Sequence, residues 1–84
     1  MLKLYLCEWL TAKGDEVERE LICESDSLLD IEDAVNDHDI EVMQNSDLFF
    51  EVDWGCGSKV FYSYRDFVSF SDILKFVLDK HNIL

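Results

Sequence analysis

Leu2, Leu4 and Leu6 alternate with Lys3, Tyr5 and Cys7 at the start of the chain. Apolar residues therefore fall on both sides of a two-residue repeat. That is the pattern of a strand covered on both faces and central in its sheet. Val17, Leu21 and Cys23 alternate with Glu18 and Glu20, which predicts a second strand turned back by Gly14-Asp15 into a hairpin. Leu28, Ile31, Ala34 and Val35 then recur at helical spacing and predict a helix over 26–37. Ser25 or Ser27 can cap it, and Ser27 with Asp30 forms a loose capping box. Residues with turn chemistry from Asn36 to Asp39 predict its end.

Ile40 to Gln44 reads as a short extended segment, followed by a turn at Asn45-Ser46-Asp47 and a strand from Leu48 to Trp54. In that strand Leu48, Phe50, Val52 and Trp54 share one face, while Phe49, Glu51 and Asp53 share the other. Gly55-Cys56-Gly57 breaks the chain, and Lys59 to Tyr64 predicts the last strand. Ser69 and Asp72 then open a helix near 70–81, in which Phe70, Ile73, Leu74, Val77, Leu78 and His81 fall on one face. The expected order is ββαβββα. This is a single α+β domain over residues 1–84, with a mainly antiparallel sheet covered by two helices.

Charge changes this picture more than any motif does. Nineteen acidic residues stand against seven basic ones, a formal net charge of −12. From Glu20 to Ser58 there are twelve carboxylates and no lysine or arginine. Large apolar residues alternate with these acids, so the segment folds rather than forming a solvated tail. Direct binding to nucleic acid or to an anionic membrane surface is opposed by the charge, whereas binding to a basic, nucleic-acid-binding protein is favoured. The run from Leu2 to Leu10 is interrupted by Glu8 and does not read as a signal peptide, so a cytoplasmic location is expected, the host cytoplasm if a phage encodes the chain. Cys7, Cys23 and Cys56 read as three reduced thiols, with a Cys7–Cys23 bridge across the hairpin as the alternative.

Asp26, Asp30, Asp33 and Asp37 are spaced by four, three and four residues. On a helix they would form a ridge about 16 Å long with neighbours about 6 Å apart, similar to successive phosphates on a nucleic-acid strand. Like charges at this spacing are each destabilising by a few tenths of a kcal/mol, so a helix gains nothing from them. A solvated helix face is the plain alternative. Glu32, Asp39, Glu41, Glu51 and Asp53 would extend the field. Asp37, Asp39 and Glu41 match the first alternating positions of a calcium loop, but Val42 stands at the turn glycine and Leu48 at the bidentate glutamate. No cysteine or histidine pair has zinc-ligand spacing, and the glycines before Ser58-Lys59 lack phosphate-loop spacing. No catalytic constellation, metal site or cofactor site is expected, and the chain reads as non-enzymatic.

Phe50, Phe61, Phe70 and Phe76 are expected in the core. Trp9, Phe49, Trp54, Tyr62 and Tyr64 exceed what a small core needs, and some of them are expected at an interface, Trp54 and Tyr62 among them. In composition and size the chain resembles the small acidic inhibitors of phages and mobile elements: anti-restriction DNA mimics, glycosylase inhibitors and anti-CRISPR proteins. The resemblance is of type, with no motif to carry residues across. It implies nucleic-acid mimicry against a basic partner. The rival expectation is an acidic interaction or assembly module, homodimer included, that uses its aromatic patch.

One consequence of the charge is measurable on the isolated chain. Raising sodium chloride from about 0.01 M to about 0.5 M screens self-repulsion, and the thermal midpoint is expected to rise. A midpoint independent of salt would mean that the acids are dispersed or paired.

Overall fold

The computed structural model describes residues 1–11, 16–62, 66, 71, 72, 74 and 75. Four strands and one helix are assigned among them: β1 (Leu2–Trp9), β2 (Val17–Ser25), α1 (Leu28–Gln44), β3 (Leu48–Asp53) and β4 (Ser58–Phe61). The strands form one antiparallel sheet in the order β2-β1-β3-β4, with β1 inside it as expected, although α1 covers one of its faces and no described element covers the other. The expected second helix at 70–81, the Gly14-Asp15 turn and Tyr64 lie wholly or mostly outside the described residues.

Only one side of the sheet is covered by α1. Leu2 and Leu4 of β1, Phe50 and Val52 of β3 and Phe61 of β4 pack with Leu28, Ile31, Val35 and Val42 of the helix. Leu74 joins this core from the C-terminal part of the chain. Burial of these side chains is the main stabilising term, on the order of 1.5–3 kcal/mol for each large residue. Phe50 and Phe61 stack at 5.3 Å between ring centroids, in register across β3 and β4.

The segment expected to be extended, Ile40 to Gln44, is instead the last part of α1, and the helix does not end at Asn36–Asp39. Val42 is buried seven residues after Val35, so the apolar stripe continues past the turn-prone residues and core packing holds them helical. No glycine or proline interrupts the stretch. The helix ends at Asn45, whose N–H donates to the Glu41 carbonyl at 3.1 Å, while its side chain accepts from the Asp47 N–H at 3.0 Å.

The helix start also differs from the expected box. Ser27 is the N-cap but makes no side-chain capping bond. Its N–H donates to Ser25 Oγ at 3.0 Å, and that hydroxyl donates to Asp30 Oδ2 at 2.6 Å. The serine hydroxyl thus relays between the cap and the carboxylate in the first turn. Asp26 therefore lies ahead of the helix, with its carboxylate 3.6 Å from the N-terminal amine.

At the β3–β4 turn Gly55 has φ +94°, a conformation that L side chains rarely adopt. Its N–H donates to Asp53 Oδ1 at 2.7 Å, and the Trp54 N–H donates to the Gly57 carbonyl at 3.0 Å. Trp54 packs against the core with its ring over Gly57, where an added Cβ would meet it at 3.1 Å.

Three substitutions test this arrangement. Asn36→Pro, placed mid-helix, should destabilise by about 3 kcal/mol or more in urea unfolding, whereas a helix ending at Asn36 would tolerate it. Ile31→Ala should cost about 2–5 kcal/mol, while Leu29→Ala, on the exposed side of the same turn, should stay within about 0.5 kcal/mol.

Candidate functional site

The outer side of α1 carries a row of four exposed acids. Because the helix runs on to Gln44, Glu41 takes the next helical step after Asp37. Asp30, Asp33, Asp37 and Glu41 are all exposed, at steps of three, four and four residues. They cover about 16 Å of helix. There is no lysine or arginine in α1 and no basic residue in its last turn, so nothing offsets the negative end of the helix dipole there. Asp26 has been replaced by Glu41 as the fourth member of the row.

The remaining expected acids have partners or other neighbourhoods. Glu32, beside the ridge, lies 3.9 Å from the Lys75 ammonium. Asp39 is half-buried. Glu41 has His38 Nδ1 at 3.9 Å. Glu51 and Asp53 lie on the other side of the sheet, and Asp53 is used to hold the hairpin turn. Glu51 is no free carboxylate: Arg19 Nε donates to its Oε1 at 2.8 Å. The same guanidinium lies 4.2 Å from the Tyr5 ring centroid. Arg19 stands one residue outside the acid-only segment, and the counter-ion comes from the neighbouring hairpin.

A second acidic feature was not singled out in the sequence. β1 and β2 pair with Glu8 directly opposite Glu18, and Glu20 opposite Leu6. These three glutamates rim an open cleft of about 470 Å³, with Leu6, Cys7, Arg19 and Leu48 also in its lining. Like charges directly opposite are destabilising in a sheet. The alternation of Glu18 and Glu20 was visible, but their meeting with Glu8 depends on the register. A shift between Leu4 and Tyr5, which leaves Ile22 unpaired, sets that register.

The face of the sheet turned away from α1 carries the aromatics. Trp9 and Phe49 lie 5.0 Å apart between centroids, and Phe49 and Tyr62 lie 5.6 Å apart. Phe49 is buried beneath its two neighbours, and Tyr62 is half exposed. With Val17, Arg19, Glu51 and Val60 they line a shallow groove of about 340 Å³. Trp54 and Tyr62, expected on one binding surface, therefore lie on opposite sides of the sheet.

Among the described residues no cluster of histidine, cysteine and carboxylate side chains is placed to hold a metal ion. Asp37, Asp39 and Glu41 are helical, so they cannot take the alternating geometry of a calcium loop. All three cysteines are free thiols. Cys7 lies on the aromatic face, whereas Cys23, opposite Leu4, packs on the helix side, so the two do not approach as a bridge. No helix among the described residues is long and apolar enough to cross a membrane.

The thiols give a direct test of the two environments. Burial, and then the Glu51 carboxylate, push the Cys7 thiol up to about 11, with the nearby Arg19 pulling it down. Cys56 is exposed. At pH 8 a thiol reagent should label Cys56 in the native protein and reach Cys7 only on unfolding. The native state keeps a proton that the unfolded thiol loses near 9.0. The stabilisation from Cys7 is thus complete below that pH and is lost as pH rises towards about 11.

No protein-family model matches this chain, and no curated protein or solved structure is significantly similar to it.

Proposed function

We propose that the chain is a non-enzymatic acidic inhibitor that occupies the nucleic-acid-binding surface of a basic partner protein. The observation that carries this reading is the ridge Asp30, Asp33, Asp37 and Glu41 on one unbroken helix. Its members are about 6 Å apart, close to the step of a phosphate backbone, and they are held by a core rather than by one another. A helix whose only concern was its own stability would interleave such a row with bases at i,i+4, each pair worth about 0.2–0.5 kcal/mol. Here α1 has no lysine or arginine for that purpose, and only its His38, 3.9 Å from Glu41, stands near the row. The acidic cleft of Glu8, Glu18 and Glu20 adds to the field that draws a cationic surface in.

In this reading the carboxylates act as fixed anions. They accept hydrogen bonds from the arginines and lysines that would otherwise hold phosphates, and the partner is blocked by competition. Anti-CRISPR and anti-restriction proteins of phage or mobile-element origin are the type of inhibitor it describes.

The test is the combined variant Asp30→Asn, Asp33→Asn, Asp37→Asn, Glu41→Gln, measured against a panel of purified DNA- and RNA-binding proteins. Wild-type binding should fall steeply with salt and be displaced by the partner's own nucleic acid. The variant should bind at least about tenfold more weakly, a loss of about 1.4 kcal/mol or more. Its unfolding midpoint should be equal or higher, because like-charge pairs have been removed. Asp26→Asn, ahead of the helix, should matter less. A folded variant that binds as tightly as wild type, or binding that nucleic acid cannot displace, would overturn the reading.

A further inference from the structure

The aromatic side of the sheet differs electrically from the rest of the molecule. Its strand residues run in rungs across β2, β1, β3 and β4: Glu24, Lys3, Asp53 and Ser58; then Leu21, Tyr5, Glu51 and Val60; then Arg19, Cys7 and Phe49. Tyr62 follows β4 and continues the third rung, with its ring against Phe49. Val17 and Trp9 form the last pair. This face holds two cations, Lys3 and Arg19, against three carboxylates, Glu24, Glu51 and Asp53. It is one charge short of balance on a chain whose net charge is −12. It also exposes Val17, Leu21, Val60 and Tyr62, at 36–50% of their surface, and no element among the described residues lies over it.

We infer that this face is a homodimer interface, in which two copies pack sheet to sheet about a two-fold axis along the strands, between β1 and β3. Such an axis keeps each rung at its own level and reverses its order, so β2 of one copy lies over β4 of the other. Lys3 then faces Asp53 of the second copy, Leu21 faces Val60, and Tyr5 faces Glu51, which Arg19 of its own chain already pairs. Arg19, already stacked on Tyr5, receives the Tyr62 ring on its other side. The Lys3–Asp53, Leu21–Val60 and Arg19–Tyr62 contacts join opposite charges, apolar groups, and a cation and a ring, and each is made twice by symmetry. Aligned sheets pack about 10 Å apart, a spacing at which facing side chains interdigitate. The charge distribution selects a second copy as the occupant. This face can meet itself without opposing twelve negative charges to twelve, and both acidic helices are then turned outward. The inference is independent of the proposed function, since the ridge lies on the opposite side of the sheet.

The pair Leu21 and Val60 provides the test. They sit on opposite edge strands, about 14 Å apart within one chain, so neither touches the other intramolecularly. Sedimentation equilibrium of the purified chain from about 1 μM to about 1 mM should show a monomer–dimer equilibrium. Leu21→Arg alone and Val60→Glu alone should each weaken it at least about tenfold, with circular dichroism unchanged. Mixing the two variants should restore association, because one Arg–Glu contact and one Leu–Val contact are then made between the copies. Tyr62→Ala should also weaken it and is not rescued by mixing. A wild-type chain that stays monomeric over the whole range overturns the inference. So does a Leu21→Arg chain that dimerises like wild type, or a mixture that remains monomeric.

Discussion

One layer of apolar contact, between α1 and one side of the sheet, supports everything else in this molecule. Leu28, Ile31, Val35 and Val42 meet Leu2, Leu4, Phe50, Val52 and Phe61, and this is where the described residues bury most of their apolar surface. In a chain of 84 residues such a layer leaves a small margin over the entropy of ordering the backbone. A carboxylate within it would be desolvated without a partner, at a cost of several kcal/mol. The acids among the described residues are therefore distributed around the layer, and none lies in the buried core. Outside the buried stripe of α1 the exposed positions include Asp30, Asp33, Asp37 and Glu41, together with Leu29, Ile40 and Met43.

The few bases are used selectively. Arg19 is committed to Glu51 and to the Tyr5 ring on the aromatic face, where Glu51 is the most shielded carboxylate among the described ion pairs. An unpaired charge at such a site would be costly, and a paired one leaves the face close to neutral. Lys75 approaches Glu32 at the flank of α1 but not the ridge itself. Arg19 and Lys75 thus go to partly buried acids, while Asp33 and Asp37 of the ridge are left to solvent. That division is what burial energetics favours, since water screens Asp33 and Asp37 but reaches Glu51 poorly.

What could be read from the sequence was what depends on near neighbours. The alternation at Leu2–Cys7 placed β1 in the middle of the sheet, and the two-residue repeat at Leu48–Trp54 sorted β3 onto its correct faces. The turn at Asn45 also follows from side chains close in sequence. The end of α1 is not legible locally, because Asn36, Asp37 and Asp39 favour turns, whereas Val42 holds the helix through contacts with distant strands. Asp26 was placed on the ridge by counting helical steps. The relay through Ser25 and Asp30 starts the helix later and leaves Asp26 outside it. Glu8 facing Glu18, and Arg19 reaching Glu51 on a different strand, are matters of register. Composition announces the charges but not their neighbours.

The two candidate surfaces obey different physics, and this separates them experimentally. On the proposed function the ridge would act by electrostatic attraction, and its contribution to binding would fade as ionic strength rises past the point where the Debye length is about 10 Å. On the proposed dimer the aromatic face would act mainly by excluding water from Tyr62, Leu21, Val17 and Val60, a term that salt does not weaken. Screening instead removes the long-range repulsion between two chains of net charge −12 and so favours their association. On the two proposals salt would therefore act in opposite directions: release from a basic partner on one side of the sheet, self-association on the other. A dimer of this form also presents two ridges facing outward on opposite sides. A basic partner with two sites would then be bound with an effective concentration set by the rigid spacing between the ridges rather than by a linker.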